Sequence, residues 1–129
     1  VDHTAMYDAG VLAIYQSSQV WAKLCLELSP QGQVMIVSVV TRGTSDDCNS
    51  YVVAGNAAYL RLAILDRAYA FHYSTDDTNW SLIRYFTLGE PADTQIGFLA
   101  QSPTGNGCTA RFEEIACVSE RLKDIRSGE

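Results

Sequence analysis

The sequence has no uninterrupted apolar run approaching the roughly 20 residues a membrane-spanning helix needs. It opens on "VDHTAMYDAG", where no basic segment leads into an apolar one, so no secretory leader is legible. It also lacks an initiator Met, as a processed chain or a piece of a longer one would. Basic residues are few, 9 against 15 acidic ones, for a net charge of −6, and they form no phosphate-tracking cluster. Nucleic acid and anionic membranes are therefore not expected partners. The four cysteines, Cys25, Cys48, Cys108 and Cys117, form no Cys-x-x-Cys pair, which argues against a zinc knuckle. Several catalytic signatures are absent too. There is no Gly-x-Ser-x-Gly elbow, no glycine loop to cradle a phosphate, and no strand carrying acids in a Glu-x-Asp-x-x-Glu spacing. The chain is read as a non-enzyme with no catalytic residue, metal or cofactor. Free thiols and a cytoplasmic location are expected.

What is present is a globular composition, 47% hydrophobic and 19% charged over 129 residues, enough for one domain spanning 1–129. Short β-branched or aromatic segments alternate with turn residues. They predict strands over Gly10–Ser17, Val20–Leu28, Gln33–Arg42, Tyr51–Ala54, Ala58–Leu65, Ala68–Thr75, Trp80–Leu88, Gln95–Gln101 and Cys108–Cys117. The separators "SPQG", "LDRA", "STDDTN" and "GEPAD" carry turn chemistry. A straight strand from Cys108 to Cys117 would be about 30 Å long, which precludes a bridge between them. Only Ser119–Arg126 reads as a helix, short and capped by Ser119. Strands without intervening helices indicate an antiparallel β-sandwich or barrel.

One segment, "VWAKLCLELS", alternates with a period of two. Val20, Ala22, Leu24, Leu26 and Leu28 form its apolar face, and Trp21, Lys23 and Glu27 share the other.

The stretches "YDAGVLAIY", "WAKLCLELS", "SVVTRGTSD", "YLRLAILDRAYAFHYSTDDTNWSLIRYFTL", "IGFLAQSPTGNG" and "ARFEEI" occur in an order that resembles a domain family of unknown function. That family includes the yeast regulation-of-enolase protein. The resemblance spans roughly residues 7 to 118. It rests on Tyr7-Asp8 before Gly10, the Trp21–Lys23–Glu27 strand, Val40-Thr41 leading to Ser45-Asp46, the Arg61 strand, the Ser74-x-Asp76 turn, Trp80, Arg84 and Ser102-Pro103. It implies a jelly-roll β-sandwich of the concanavalin A-like lectin and glucanase kind, with a concave sheet where such folds hold sugars. Two departures stand out. Asp47-Cys48 follows Ser45-Asp46 where the family usually has a tryptophan, and the chain starts almost at the Tyr-Asp motif where the family has earlier strands. The resemblance thus implies a sandwich lacking N-terminal strands. A homodimer, or a chain supplying those strands, is expected to cover the exposed edge.

On that fold, strand parity nominates Trp21, Lys23, Glu27, Arg61, His72, Trp80 and Arg84 to line one concave surface. On the last of these strands, Trp80, Leu82 and Arg84 share a side. Indole rings can face the apolar side of a pyranose, and polar side chains can bond its hydroxyls. Structural roles compete for the same residues. The charged ones suit cross-strand ion pairs worth under ~1 kcal/mol each. The tryptophans suit packing, and His72 suits a hydrogen-bonded scaffold. Ser74–Asp77 reads first as a hairpin turn, and Ser45-Asp46 as the brace of a loop over the sheet. Glu27 is the one carboxylate expected on the floor. The leading function is a non-catalytic carbohydrate-binding or carbohydrate-associated domain, its ligand a saccharide or a protein. A regulatory protein-interaction domain and a glycoside-active enzyme are the alternatives.

Overall fold

A computed structural model describes residues 1–90 and 92–129. Among them eight strands form: β1 Ala9–Ser17, β2 Val20–Leu28, β3 Val34–Arg42, β4 Thr44–Val52, β5 Tyr59–Leu65, β6 Ala68–Ser74, β7 Ser81–Phe86 and β8 Gln95–Gln101. They build two antiparallel sheets, ordered β4-β3-β2-β1-β8 and β5-β6-β7. The sheets stack as a β-sandwich, β5 opposite β1 and β7 opposite β3. No described helix is long and apolar enough to cross a membrane.

Local chemistry builds the hairpins. Between β2 and β3, Gly32 takes a left-handed φ of 75° and its N–H donates to the Ser29 carbonyl. A side chain there would be strained, so the turn falls at glycine. Between β6 and β7, Asp76 Oδ1 accepts from the backbone N–H groups of Thr78 and Asn79, which makes Ser74–Asp77 the turn its sequence suggests.

Register then carries the period-two pattern into three dimensions. Leu12 pairs with Leu24 and Ile14 with Ala22, while Leu26 pairs with Ile36 and Ala22 with Val40. These residues point inward onto Phe71 of β6 and Phe86 of β7, whose rings lie 4.8 Å apart. Each large side chain buried there stabilises the fold by about 1.5–3 kcal/mol.

Four local expectations are corrected. Residues 44–50 form most of β4 and not a loop. Gly43 (φ 77°) reverses the chain, and the resulting edge strand needs no apolar alternation because both its faces stay wet. Ser45 braces the hairpin through a 2.8 Å bond between its hydroxyl and that of Thr41. On β7 a bulge changes parity: His72 pairs with Leu82 but Phe71 pairs with Arg84. Arg84 therefore lies on the core side with Phe86, opposite Leu82, because the extra residue reverses every side chain beyond it. Cys108–Cys117 is no strand, its pairing being limited to one bridge between Thr109 and Asp2, and all four cysteines are free. Finally, Ser119–Arg126 forms no helix. So short a segment gains too few internal bonds to repay nucleation, and its Ile125 carbonyl bonds His72 of β6 instead.

Candidate functional site

The seven nominated residues fall into three places. Trp21, Lys23 and Glu27 stand on the outer face of the five-stranded sheet, as their alternation requires. Arg61, His72 and Trp80 lie on the outer face of the other sheet, beneath the C-terminal tail. Arg84 sits at the seam between sheets, with Nη2 3.8 Å from Asp46 Oδ2 and Nη1 3.3 Å from the Asp46 carbonyl. One surface does not hold all seven. Strands in opposing layers present their outward residues to opposite sides of the sandwich, and parity within a strand cannot report the layer.

Outside the five-stranded sheet, β1 supplies small residues, Ala9, Val11 and Ala13. They pair on one side with Glu27, Cys25 and Lys23 of β2, and on the other with Gln101, Leu99 and Gly97 of β8. Short side chains on the middle strand and longer ones beside it give a shallow trough. Its apolar floor of Ala9, Val11, Cys25 and Val37 is buried. Tyr15, paired with Trp21, closes one end with an exposed ring.

Three polar groups span this trough. Lys23 Nζ donates to Gln101 Oε1 at 2.7 Å, and Gln101 Nε2 donates to Glu27 Oε2 at 3.1 Å and to the Tyr7 carbonyl at 3.0 Å. Gln101 is thus aligned by three bonds. Lys23 Nζ also lies 6.0 Å from the centre of the Trp21 ring, at the outer limit of a cation–π contact. Burial raises the Glu27 pKa above its usual value, and Lys23 only partly offsets that. Asp47 adds to the rise. It stands on the same face of β4, through its pairing with Val39 and the pairing of Val39 with Lys23. The floor thus has a second carboxylate beside it, contrary to the single one expected. Burial pushes the Cys25 thiol up to about 12, so it is no nucleophile at neutral pH.

Sequence reading missed Gln101, Tyr15 and Asp47. Tyr15 was legible, since a tight hairpin from Tyr15 to Trp21 puts the two rings opposite each other. Gln101 was not, because nothing local pairs β1 with a strand more than 80 residues downstream. Asp47 was hidden by the reading of its segment as a loop.

The second cluster is closed. Arg61 packs over Trp80, 3.6 Å from guanidinium carbon to ring centre, and donates to the Gly128 carbonyl at 2.6 Å. His72 Nε2 lies 2.8 Å from the Ile125 carbonyl, which makes Nε2 the protonated nitrogen. Burial lowers the His72 pKa and keeps the ring neutral, and buried Nδ1 has no partner among the described residues. Asp124 folds the tail back by accepting the Gly128 and Glu129 N–H groups on its carbonyl. These residues bind the protein's own tail. Among the described residues no group of three or more His, Cys, Asp or Glu side chains is placed to hold a metal ion.

The arrangement is similar to a solved structure of a functionally unknown protein from Saccharomyces cerevisiae, at 27% identity and a TM-score of 0.70. The match takes in 78% of this chain and 55% of that one, so this chain spans little more than half the length of its structural relative. No curated protein matches the sequence. The family described as "Protein of unknown function (DUF1349)" matches residues 1–119, and with nine-tenths of its length so covered the chain belongs to that family.

Proposed function

We propose that this domain binds saccharide without transforming it, in the trough along β1. The observation that carries this reading is the bonded Lys23–Gln101–Glu27 row, beside Trp21 on the outer face of the five-stranded sheet and above its small-residue floor. A pyranose offers an apolar face to an indole and a ring of hydroxyls that both donate and accept. Lys23 supplies donors, Glu27 supplies acceptors, and the Gln101 amide supplies both. Because these groups already bond one another, little side-chain entropy remains to be lost on binding. The implied likeness to concanavalin A-like lectins points the same way, and a sheet face is where such folds hold sugar.

The trough does not favour a glycoside-active enzyme. Asp47 is offset from Glu27 by two strands and four residues of register, roughly 10 by 13 Å between backbones. Glycosidase carboxylates flank one bond at ~5–9.5 Å. The regulatory reading, a protein-interaction domain resembling the enolase regulator, places a protein ligand on the same face and is separated by the same experiment.

A glycan array probed with the 129-residue chain is expected to return a defined set of saccharides. Titration calorimetry with the best of them is expected to weaken about tenfold or more for Trp21→Ala, equivalent to about 1.4 kcal/mol. Arg61→Ala, remote from the trough, should leave the affinity unchanged. An array with no hits, or equal binding by Trp21→Ala, overturns the saccharide reading.

A further inference from the structure

Four strands border the two sheets: β4 and β8 in one, β5 and β7 in the other. Exposed edges invite pairing with another chain, and charge on the edge guards against it. β4 carries Asp46 and Asp47, β5 carries Arg61, and β7 carries Arg84. β8, "QIGFLAQ", has no charged residue and no proline. Among the described residues it pairs with β1 alone, leaving its outer row of N–H and C=O groups free of strand partners. Its apolar side chains are also out in solvent: Ile96 is 51% exposed, Phe98 47% and Leu99 43%.

The strand is symmetric about Phe98 in polarity, with a glutamine at each end and uncharged, mostly apolar residues between. Gln95 answers Gln101, Ile96 answers Ala100, and Gly97 answers Leu99. Two antiparallel copies in that register place each of these residues opposite its counterpart, with Phe98 facing Phe98 on the two-fold axis. The register also pairs a vacancy with a side chain that can fill it. A Cβ added to Gly97 would meet nothing within 4 Å. Above it lies an open hollow of about 280 Å³ lined by Ala13, Tyr15, Gln95, Ile96, Phe98 and Leu99. Directly opposite residues of an antiparallel pair share a face, so Leu99 of the second copy projects over this hollow, and Leu99 of the first fills the reciprocal one. A glycine inside a strand leaves room for such a close approach of another chain.

From this we infer that β8 is a self-recognition strand: two copies pair β8 to β8, antiparallel and centred on Phe98, joining their five-stranded sheets into one. The contact is isologous, so it closes at two copies and does not propagate. The inference does not need the saccharide reading, although Gln101 and the Ala13–Tyr15 end of the trough take part in both; oligomeric state tests the one and the glycan array the other.

Sedimentation equilibrium of the 129-residue chain at micromolar concentrations is expected to show a dimer, and Phe98→Lys, which sets two like charges on the axis, a monomer. Because Phe98 also stacks on Phe112 (5.0 Å), a second variant tests the register without depending on the fold of the first. In a Cys48→Ser/Cys117→Ser background, Phe98→Cys is expected to give a disulfide-linked dimer on mild oxidation, as facing residues of an antiparallel pair lie within bridging distance. Ile64→Cys, on the border strand β5 and more exposed than Phe98, should not crosslink. A monomeric wild-type chain, or a dimer that Phe98→Cys fails to link, overturns the inference.

Discussion

Individual side chains in this molecule separate into those that hold the fold and those held at some cost to it. Asp76 belongs to the first group. The N–H and side-chain amide of Asn79, the N–H of Thr78 and the Ser74 hydroxyl all bond its carboxylate and keep its pKa well below the usual range. Glu27 belongs to the second, because burial raises its pKa. The sign follows from linkage. A carboxyl whose pKa is higher folded than unfolded binds protons more readily when folded, so ionising it subtracts stability above that raised pKa. The penalty fades as pH falls toward the ordinary value of 4.5. Glu27→Gln removes the ionisation and retains an acceptor for Gln101. It is expected to leave the thermal midpoint at pH 7 unchanged or higher, and to weaken any ligand that bonds the carboxylate. Melts at pH 7 and pH 5 check this: a large loss of stability at pH 7 would make Glu27 a structural anchor.

Among the elements, the tail gains its conformation from the sheet beneath it. Arg121 Nη2 lies 2.7 Å from Asp66 Oδ1, and the Ile125 and Gly128 carbonyls meet His72 and Arg61. Gly128 is the pivot, with φ at 74° and an added Cβ only 2.9 Å from Trp80 Cβ. Gly128→Ala is therefore strained in backbone and side chain alike. It is expected to cost about 1–3 kcal/mol in urea unfolding and, in a Trp21→Phe background, to shift Trp80 fluorescence to the red as the tail lifts. Unchanged emission would mean that Trp80 is shielded by other residues. The strand beneath was legible in "AYAFHYS", but the course of residues 119–129 was not. A helix reading weighs only local spacing, whereas here His72 and Arg61 on the sheet bond the Ile125 and Gly128 carbonyls and fix the course of the tail.

For the molecule as a whole, acid is the informative stress. Asp8, buried before β1, accepts the Thr4 N–H and hydroxyl and the Ala5 N–H on Oδ2. Its pKa falls from 3.8 to about 2. The largest cause is the Ser102 hydroxyl, and the Thr4 N–H comes next. Asp8 thereby ties the segment entering β1 to the loop leaving β8. A carboxylate depressed in the folded state contributes stability that is complete above its unfolded pKa and lost as pH falls through its folded one. Calorimetric midpoints of the wild-type chain are expected to drop between pH 4 and pH 2. Those of Asp8→Asn should start lower at pH 7 and fall less steeply over the same interval. Parallel profiles would remove Asp8 from the acid response.

Local sequence settles where most strands lie, which turns divide them, and that Trp21, Lys23 and Glu27 oppose Leu24, Leu26 and Leu28. A period of two fixes the faces of a strand, and glycine or aspartate fixes a turn within four residues. Only the assembled sandwich closes β8 on β1, bringing Gln101 between Lys23 and Glu27. It is likewise the sandwich that turns Arg84 to the core side through a bulge, and that sets Arg61, His72 and Trp80 in the other layer beneath the tail. Each of these depends on pairings between distant segments. Their entropy of closure is repaid by the completed sandwich and not by any neighbour in sequence, so no local pattern announces them.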